Sequence, residues 1–134
     1  MDGDDCIMVQ DGATVSGSID GGDANDCVRV TQATAAGITG GGGDDDFIIE
    51  GSMLQETQSM GKRGMMVTTP SNIGDSGGND CIRVYPYGGN PSFMGNINSG
   101  TGDDCIDVQT SSVLTISGSG GNDIIYTRCS LMNN

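Results

Sequence analysis

At 134 residues the chain has the length of a single domain, 1–134. Its 24 Gly follow no Gly-X-Y period, which excludes collagen, and 34 % apolar residues with no Trp would build a conventional globular core only with difficulty. A net charge of −13, from 18 acids against 5 bases, disfavours nucleic acid and anionic membranes as partners and invites cations; no stretch is apolar enough for a membrane span, and there is no His to act as general base or transition-metal ligand.

In chain order, one phrase recurs. It opens as Gly3-Asp4-Asp5-Cys6-Ile7-Met8-Val9 and returns in full from Ile19 to Asp26-Cys27-Val28-Arg29-Val30. A looser copy runs from Ile38 through a glycine run to Asp46-Phe47-Ile48-Ile49. Further copies run from Ile73 to Asp80-Cys81-Ile82-Arg83-Val84, from Ile97 to Asp104-Cys105-Ile106-Asp107-Val108, and from Ile116 to Asp123-Ile124-Ile125. Aligned on Asp5, Asp26, Asp46, Asp80, Asp104 and Asp123, the spacings are 21, 20, 34, 24 and 19. A period near ~20 residues is the mark of a repeat architecture, and the regular Ile and Val argue against disorder despite the low hydrophobicity.

After each Asp comes a short segment with period-2 alternation, which predicts a strand. Ile7, Val9, Val28, Val30, Ile82, Val84, Ile106 and Val108 then face inward. Cys6, Cys27, Cys81 and Cys105 share the outer face with Met8, Arg29, Arg83 and Asp107, with Phe47 and Ile124 standing where Cys is missing. A second strand precedes each glycine turn and ends at Ile19, Ile38, Ile73, Ile97 or Ile116, seven residues before the next Asp in four coils and eight in the one that ends at Asp46. These features predict an all-β fold: a parallel β-solenoid of the β-helix or β-roll kind. It has about six coils of roughly 20 residues, right-handed because parallel crossovers strongly prefer that hand. The long gap holds an insertion at about 54–70, expected as a loop on one side, and Pro and Gly near residues 85–91 mark a lengthened turn.

Stacking places Asp5, Asp26, Asp46, Asp80, Asp104 and Asp123 in one column and Asp4, Asn25, Asp45, Asn79, Asp103 and Asn122 in the column before it. Carboxylates about 5 Å apart repel by roughly 1 kcal/mol per pair in water, and more when partly buried. Two arrangements offset that. Carboxylate and carbonyl oxygens around a flexible turn are the ligand set of Ca²⁺, so Asp4, Asp5, Asp26, Asp45, Asp46, Asp80, Asp103, Asp104 and Asp123 are candidate ligands for a row of ions. Alternatively the Asp and Asn side chains cap the turns by hydrogen bonds, with no ion.

Gly21-Gly22-Asp23-Ala24-Asn25-Asp26-Cys27-Val28 and Gly100-Thr101-Gly102-Asp103-Asp104-Cys105-Ile106 resemble the Gly-Gly-x-Gly-x-Asp-x-Ile/Val nonapeptide of RTX calcium-binding proteins. One such turn alternates with an unlike half-coil, as in the RTX variant of ~19 residues found in calcium-dependent adhesin and ice-binding modules. The resemblance covers about half of each coil and implies Ca²⁺ at the Asp column. A second, weaker resemblance is to right-handed β-helix polygalacturonases, carried by Gly102-Asp103-Asp104-Cys105-Ile106 and Gly3-Asp4-Asp5-Cys6-Ile7. It implies acid/base hydrolysis by paired aspartates. The chain lacks that family's Gly-His-Gly, and repetition of the pair along the whole chain suits a lattice rather than one active site.

Cys6 and Cys27 are expected as neighbours in adjacent coils, as are Cys81 and Cys105. Stacked Cα atoms lie within disulfide range, so these pairs are either disulfides or thiols of an outer ladder. Cys129 is left over and could link subunits. No capping coil is legible at either end, and open β-edges recruit strands. The expected function is a non-enzymatic, Ca²⁺-stabilised extracellular or cell-surface protein. It would stack on copies of itself into a filament or belong to an adhesive surface structure. A module that binds carbohydrate or a surface is the second reading, and a pectinase-like hydrolase the third.

Overall fold

The computed structural model describes residues 2–50, 53–54, 72–85, 96–109 and 115–128. Among the described residues twelve strands form: β1 Cys6–Val9, β2 Thr14–Asp23, β3 Cys27–Thr31, β4 Thr34–Gly42, β5 Asp46–Glu50, β6 Met53–Leu54, β7 Asn72–Gly74, β8 Cys81–Tyr85, β9 Asn96–Asn98, β10 Cys105–Gln109, β11 Thr115–Ser117 and β12 Ile124–Arg128. They make two parallel sheets: one runs β1-β3-β5-β8-β10-β12, the other β11-β9-β7-β4-β2, with β6 pairing β4. The chain alternates between sheets, so each pass adds a rung to both, and the fold is a β-solenoid. About four full turns of roughly 20 residues close, slightly fewer than the six coils expected. The sixth rung, β12, has no return strand among the described residues, and the long insertion interrupts the third coil. Most of that insertion, 55–70, lies outside the described residues, as do Cys129 and most of the lengthened turn.

Alternation fills the core as the sequence predicts. Val28, Val30, Ile82, Val84, Ile106 and Val108 are buried, and Ile7 and Val9 pack against them from the first coil. The Ile column of the second sheet completes the interior with Ile19, Ile38, Ile73 and Ile97, while Ile116 is partly buried. Full burial of such a side chain is worth about 1.5–3 kcal/mol.

The third coil is shifted by one residue from its sequence alignment. β5 pairs with β3 as Cys27↔Asp46, Val28↔Phe47 and Val30↔Ile49. Phe47 is therefore a core residue with no exposed surface, and Asp46 rather than Phe47 stands in the Cys ladder. Period-2 patterning explains why: a slip of one residue would turn Phe47 and Ile49 out to solvent and bring Glu50 in. The inner column is thus Asp5, Asp26, Asp45, Asp80, Asp104 and Asp123, and the outer column contains Asp44, not Asp45. Asp46 projects outward and pairs with Arg83 across the coils, Nη1 to Oδ1 at 2.6 Å.

Candidate metal centre

The site is built by the glycine turn that joins the second sheet to the first. Two residues before each inner-column Asp the backbone takes positive φ, from Gly3 through Ala24, Gly43, Gly78 and Gly102 to Gly121. Glycine suits this place twice over: the left-handed conformation disfavours a side chain, and a Cβ on Gly78 would overlap the carbonyl oxygen of Gly43 below it. The turns can then stack at strand spacing, as in Gly78 N–H to Thr101 O at 2.9 Å and Gly102 N–H to Gly120 O at 2.7 Å.

Close stacking brings both acidic columns into ladders. In the inner one, each Asp Oδ1 accepts the N–H of the corresponding Asp one coil earlier: Asp5 to Asp26 at 2.8 Å, Asp26 to Asp45 at 2.7 Å, Asp45 to Asp80 at 2.8 Å, Asp80 to Asp104 at 3.0 Å and Asp104 to Asp123 at 3.2 Å. The outer ladder runs the other way. Asp4, Asn25, Asp44, Asn79 and Asp103 each accept, through Oδ1, the N–H of the outer-column residue one coil later, at 2.7–3.1 Å. Side-chain hydrogen bonds thus do run along both columns, but between coils rather than within a turn. Asp103 and Asp104, the pair that resembles a hydrolase dyad, belong to opposite ladders; Asp103 is exposed and Asp104 buried.

The inner ladder leaves a residue of unmet demand. Asp26, Asp45, Asp80 and Asp104 are 2–3 % exposed, and the second oxygen, Oδ2, of each has no hydrogen-bond donor. The Oδ2 atoms of Asp26, Asp45 and Asp123 turn toward the second-sheet position two residues after the core Ile. That position is Gly21, Gly40, Asp75, Ser99 and Gly118 in successive coils, and all five are buried. A Cβ on Gly21, Gly40 or Gly118 would collide with the carboxylate facing it. One coil breaks the pattern with an acid. Asp75, Asp45 and Asp80 bring one carboxylate oxygen each to within 4.8 Å of one another, and all three are buried.

Asp75 is anchored through Oδ1, which accepts the N–H groups of Ser76 at 2.6 Å and Gly41 at 3.2 Å. Its Oδ2 has no donor, and it lies 2.7 Å from where a Cβ of Gly40 would be, so the missing side chain of Gly40 makes the room in which Asp45 and Asp75 converge. Burial pushes the Asp75 carboxyl up to about 8; the Ser76 N–H opposes the shift, and the charges of Asp80 and Asp45 add to it. Asp45 and Asp80 are raised too, first by burial. Three desolvated carboxylates can hold together in two ways: a proton on Asp75 bridges to its neighbours, or a cation replaces it. An all-carboxylate donor set suits a hard cation, Ca²⁺ or Mg²⁺, and not a thiophilic metal.

Of the residues proposed from sequence, Asp45 and Asp80 belong to this cluster. Asp5, Asp26, Asp104 and Asp123 lie elsewhere on the inner ladder, Asp4 and Asp103 lie on the outer one, and Asp46 is on the opposite face. Asp75 is absent from the sequence-based set. Its signal was an acid at the position where other coils carry Gly or Ser. The cysteines stack as expected, Cys6 on Cys27 and Cys81 on Cys105, and all four are free thiols. Burial raises Cys81 to about 11.

No protein-family model, curated protein or solved structure matches the chain.

Proposed function

We propose that this protein is a non-enzymatic structural β-solenoid of the cell exterior, stiffened by a divalent cation, Ca²⁺ by preference, held by Asp45, Asp75 and Asp80. The observation that carries this reading is the convergence of three buried carboxylates whose Oδ2 atoms have no donor. The location gives such an ion a task. Asp45 belongs to the coil before the insertion, Asp75 and Asp80 to the coil after it, so a cation ties together the two coils separated by the longest stretch of sequence. Extracellular Ca²⁺ modules work with dissociation constants of about 10⁻⁴–10⁻³ M, which three carboxylates in a semi-rigid turn can supply. The reading narrows the expected row of ions to one site, because elsewhere the column is faced by Gly or Ser.

The test is thermal unfolding with Ca²⁺ or with chelator, for the native chain and for Asp75→Ser, which installs the residue of the next coil. Ca²⁺ at a hundredfold excess over its dissociation constant is expected to raise the native melting temperature by roughly 10 °C. Asp75→Ser is expected to melt above the native chain in chelator and to gain nothing from Ca²⁺. A native chain indifferent to Ca²⁺ would leave Asp75 as a protonated structural carboxyl and defeat the proposal.

A further inference from the structure

The outer face of the first sheet carries sulfur. Its first column reads Cys6, Cys27, Asp46, Cys81, Cys105 and Ile124 in successive rungs. Cysteines therefore meet as two pairs, Cys6 with Cys27 and Cys81 with Cys105, and Asp46 stands between the pairs. In each pair the two thiols hydrogen-bond to one another. Cys27, Cys81 and Cys105 are half-buried and Cys6 is exposed, so an ion from solvent can reach both pairs. The Cys81–Cys105 pair lies inside the stack, with a further rung on each side of it.

Rung spacing decides what such a pair can do. Partners in register on parallel strands project side by side, so their Cβ atoms keep the strand spacing of roughly 4.7–4.9 Å. A disulfide spans Cβ atoms only about 3.5–4.5 Å apart and brings its sulfurs to about 2.05 Å. Hydrogen bonds beside the cysteines hold the rungs apart. Cys105 N–H donates to Asp80 O at 2.8 Å, and Asp80 N–H donates to Asp104 Oδ1 at 3.0 Å. Cys27 N–H donates to Asp5 O, and Asp5 N–H to Asp26 Oδ1, both at 2.8 Å. These bonds are already at normal length, so the rungs cannot draw nearer. A metal ion between the sulfurs needs no such closure. Two thiolate–metal bonds of roughly 2.3 Å, set in line, span about 4.6 Å, close to the separation that the sheet imposes.

The donor set selects the ion. Thiolates favour Cu⁺, Zn²⁺ and iron–sulfur clusters. Zn²⁺ and the clusters call for four ligands, and each pair offers two. The chain has no His, and among the described residues no third thiol or carboxylate closes on either pair. Cu⁺ has a filled d shell and accepts two sulfurs in line. Charge agrees: a pair gives two thiol protons to water and takes one Cu⁺, which leaves one negative charge. Arg29 and Arg83, two of five bases in the chain, set a positive charge beside Cys27 and Cys81 on the same face. The geometry points to two Cu⁺ sites on the outer face of the first sheet, one held by the thiolates of Cys6 and Cys27, the other by those of Cys81 and Cys105. They are independent of the carboxylate cluster, whose buried oxygens suit a hard cation.

The test is anaerobic titration with Cu⁺ against a chromogenic Cu⁺ chelator, on the full chain carrying Cys129→Ser, which leaves the four ladder thiols. This chain is expected to take two Cu⁺, with sulfur-to-copper charge-transfer absorption, and to take them equally when Asp75→Ser is added. Cys105→Ser and Cys27→Ser should each weaken one of the two sites by about a hundredfold, and the two together should abolish both. Circular dichroism checks that each variant keeps the solenoid. Zn²⁺ at the same concentration should displace neither ion. A chain that takes no Cu⁺ from the chelator, or uptake that survives Cys27→Ser with Cys105→Ser, would overturn the sites. So would a Cys81–Cys105 disulfide found by mass spectrometry after peroxide treatment of the folded chain, because the rungs would then close to disulfide distance.

Discussion

The inner and outer columns of the glycine turn have the same backbone task and opposite fates. Each gives every coil a side-chain oxygen for a neighbouring N–H. The outer column stands in water and alternates Asp with Asn, so no carboxylate has another directly above or below it. The inner column is buried through its middle coils and all acid, and its second oxygens find no donor. Position relative to solvent therefore decides what an aspartate does here: on the outside it is a spacer, and in the buried middle coils its second oxygen is left without a donor.

The sharpest way to break the comparison is to cut the same atoms from both columns. Asp104→Ala strips a charged acceptor from the N–H of Asp80, and a buried donor left bare by such a loss costs about 2–3 kcal/mol. Asp103→Ala removes an acceptor from the exposed N–H of Asn122, which water replaces, at about 1 kcal/mol or less. Urea unfolding of the two variants measures the difference; equal losses would erase the distinction between the columns.

A second effect belongs to the inner column alone. Asp75 titrates at about 8 in the folded chain against an ordinary 3.8. Between those values the folded state holds more protons than the unfolded chain, so stability in chelator falls as pH rises from about 4 to about 8. Asp45 and Asp80, also raised, act in the same sense. Urea midpoints at pH 5 and pH 8 should show this slope, and Asp75→Ser should flatten it. A native chain whose midpoint rises with pH over that window would contradict the buried acid cluster.

Smaller effects sharpen the geometry. Ala24 is the one non-glycine in the column of positive-φ turn residues, with φ 87°. Ala24→Gly relieves that conformation and is expected to stabilise by about 0.5–1 kcal/mol, read as a rise in melting temperature. Smallest of all, Asp103→Asn keeps the outer-column acceptor and removes only an exposed charge. Its effect on the urea midpoint should stay within about 0.5 kcal/mol.

Much of this architecture is legible in the residues. The Ile and Val spacing gave the solenoid and its inward-facing set, because a two-sheet coil has only one way to bury a period-2 pattern. The true register of the third coil is legible too. Four coils place the closing Ile seven residues before the inner Asp, and seven after Ile38 is Asp45, not Asp46. The inward position of Asp75 is not legible in its local sequence. Its neighbours in sequence, Gly74 and Ser76, suit an exposed turn, and only the stacking of Gly40 on one side and Ser99 on the other reveals that the position faces inward.

By itself, then, the sequence determined the repeat, the parallel sheets, the core columns and the presence of stacked acids, since all follow from periodicity and the conformational freedom of glycine. Only the tertiary structure decided the direction of each ladder, the separation of the two acidic columns into a wet and a dry one, and the meeting of Asp45, Asp75 and Asp80. Those depend on which carboxylate oxygen faces the interior of a coil and which residue the next coil sets against it, and distance along the chain does not carry that information.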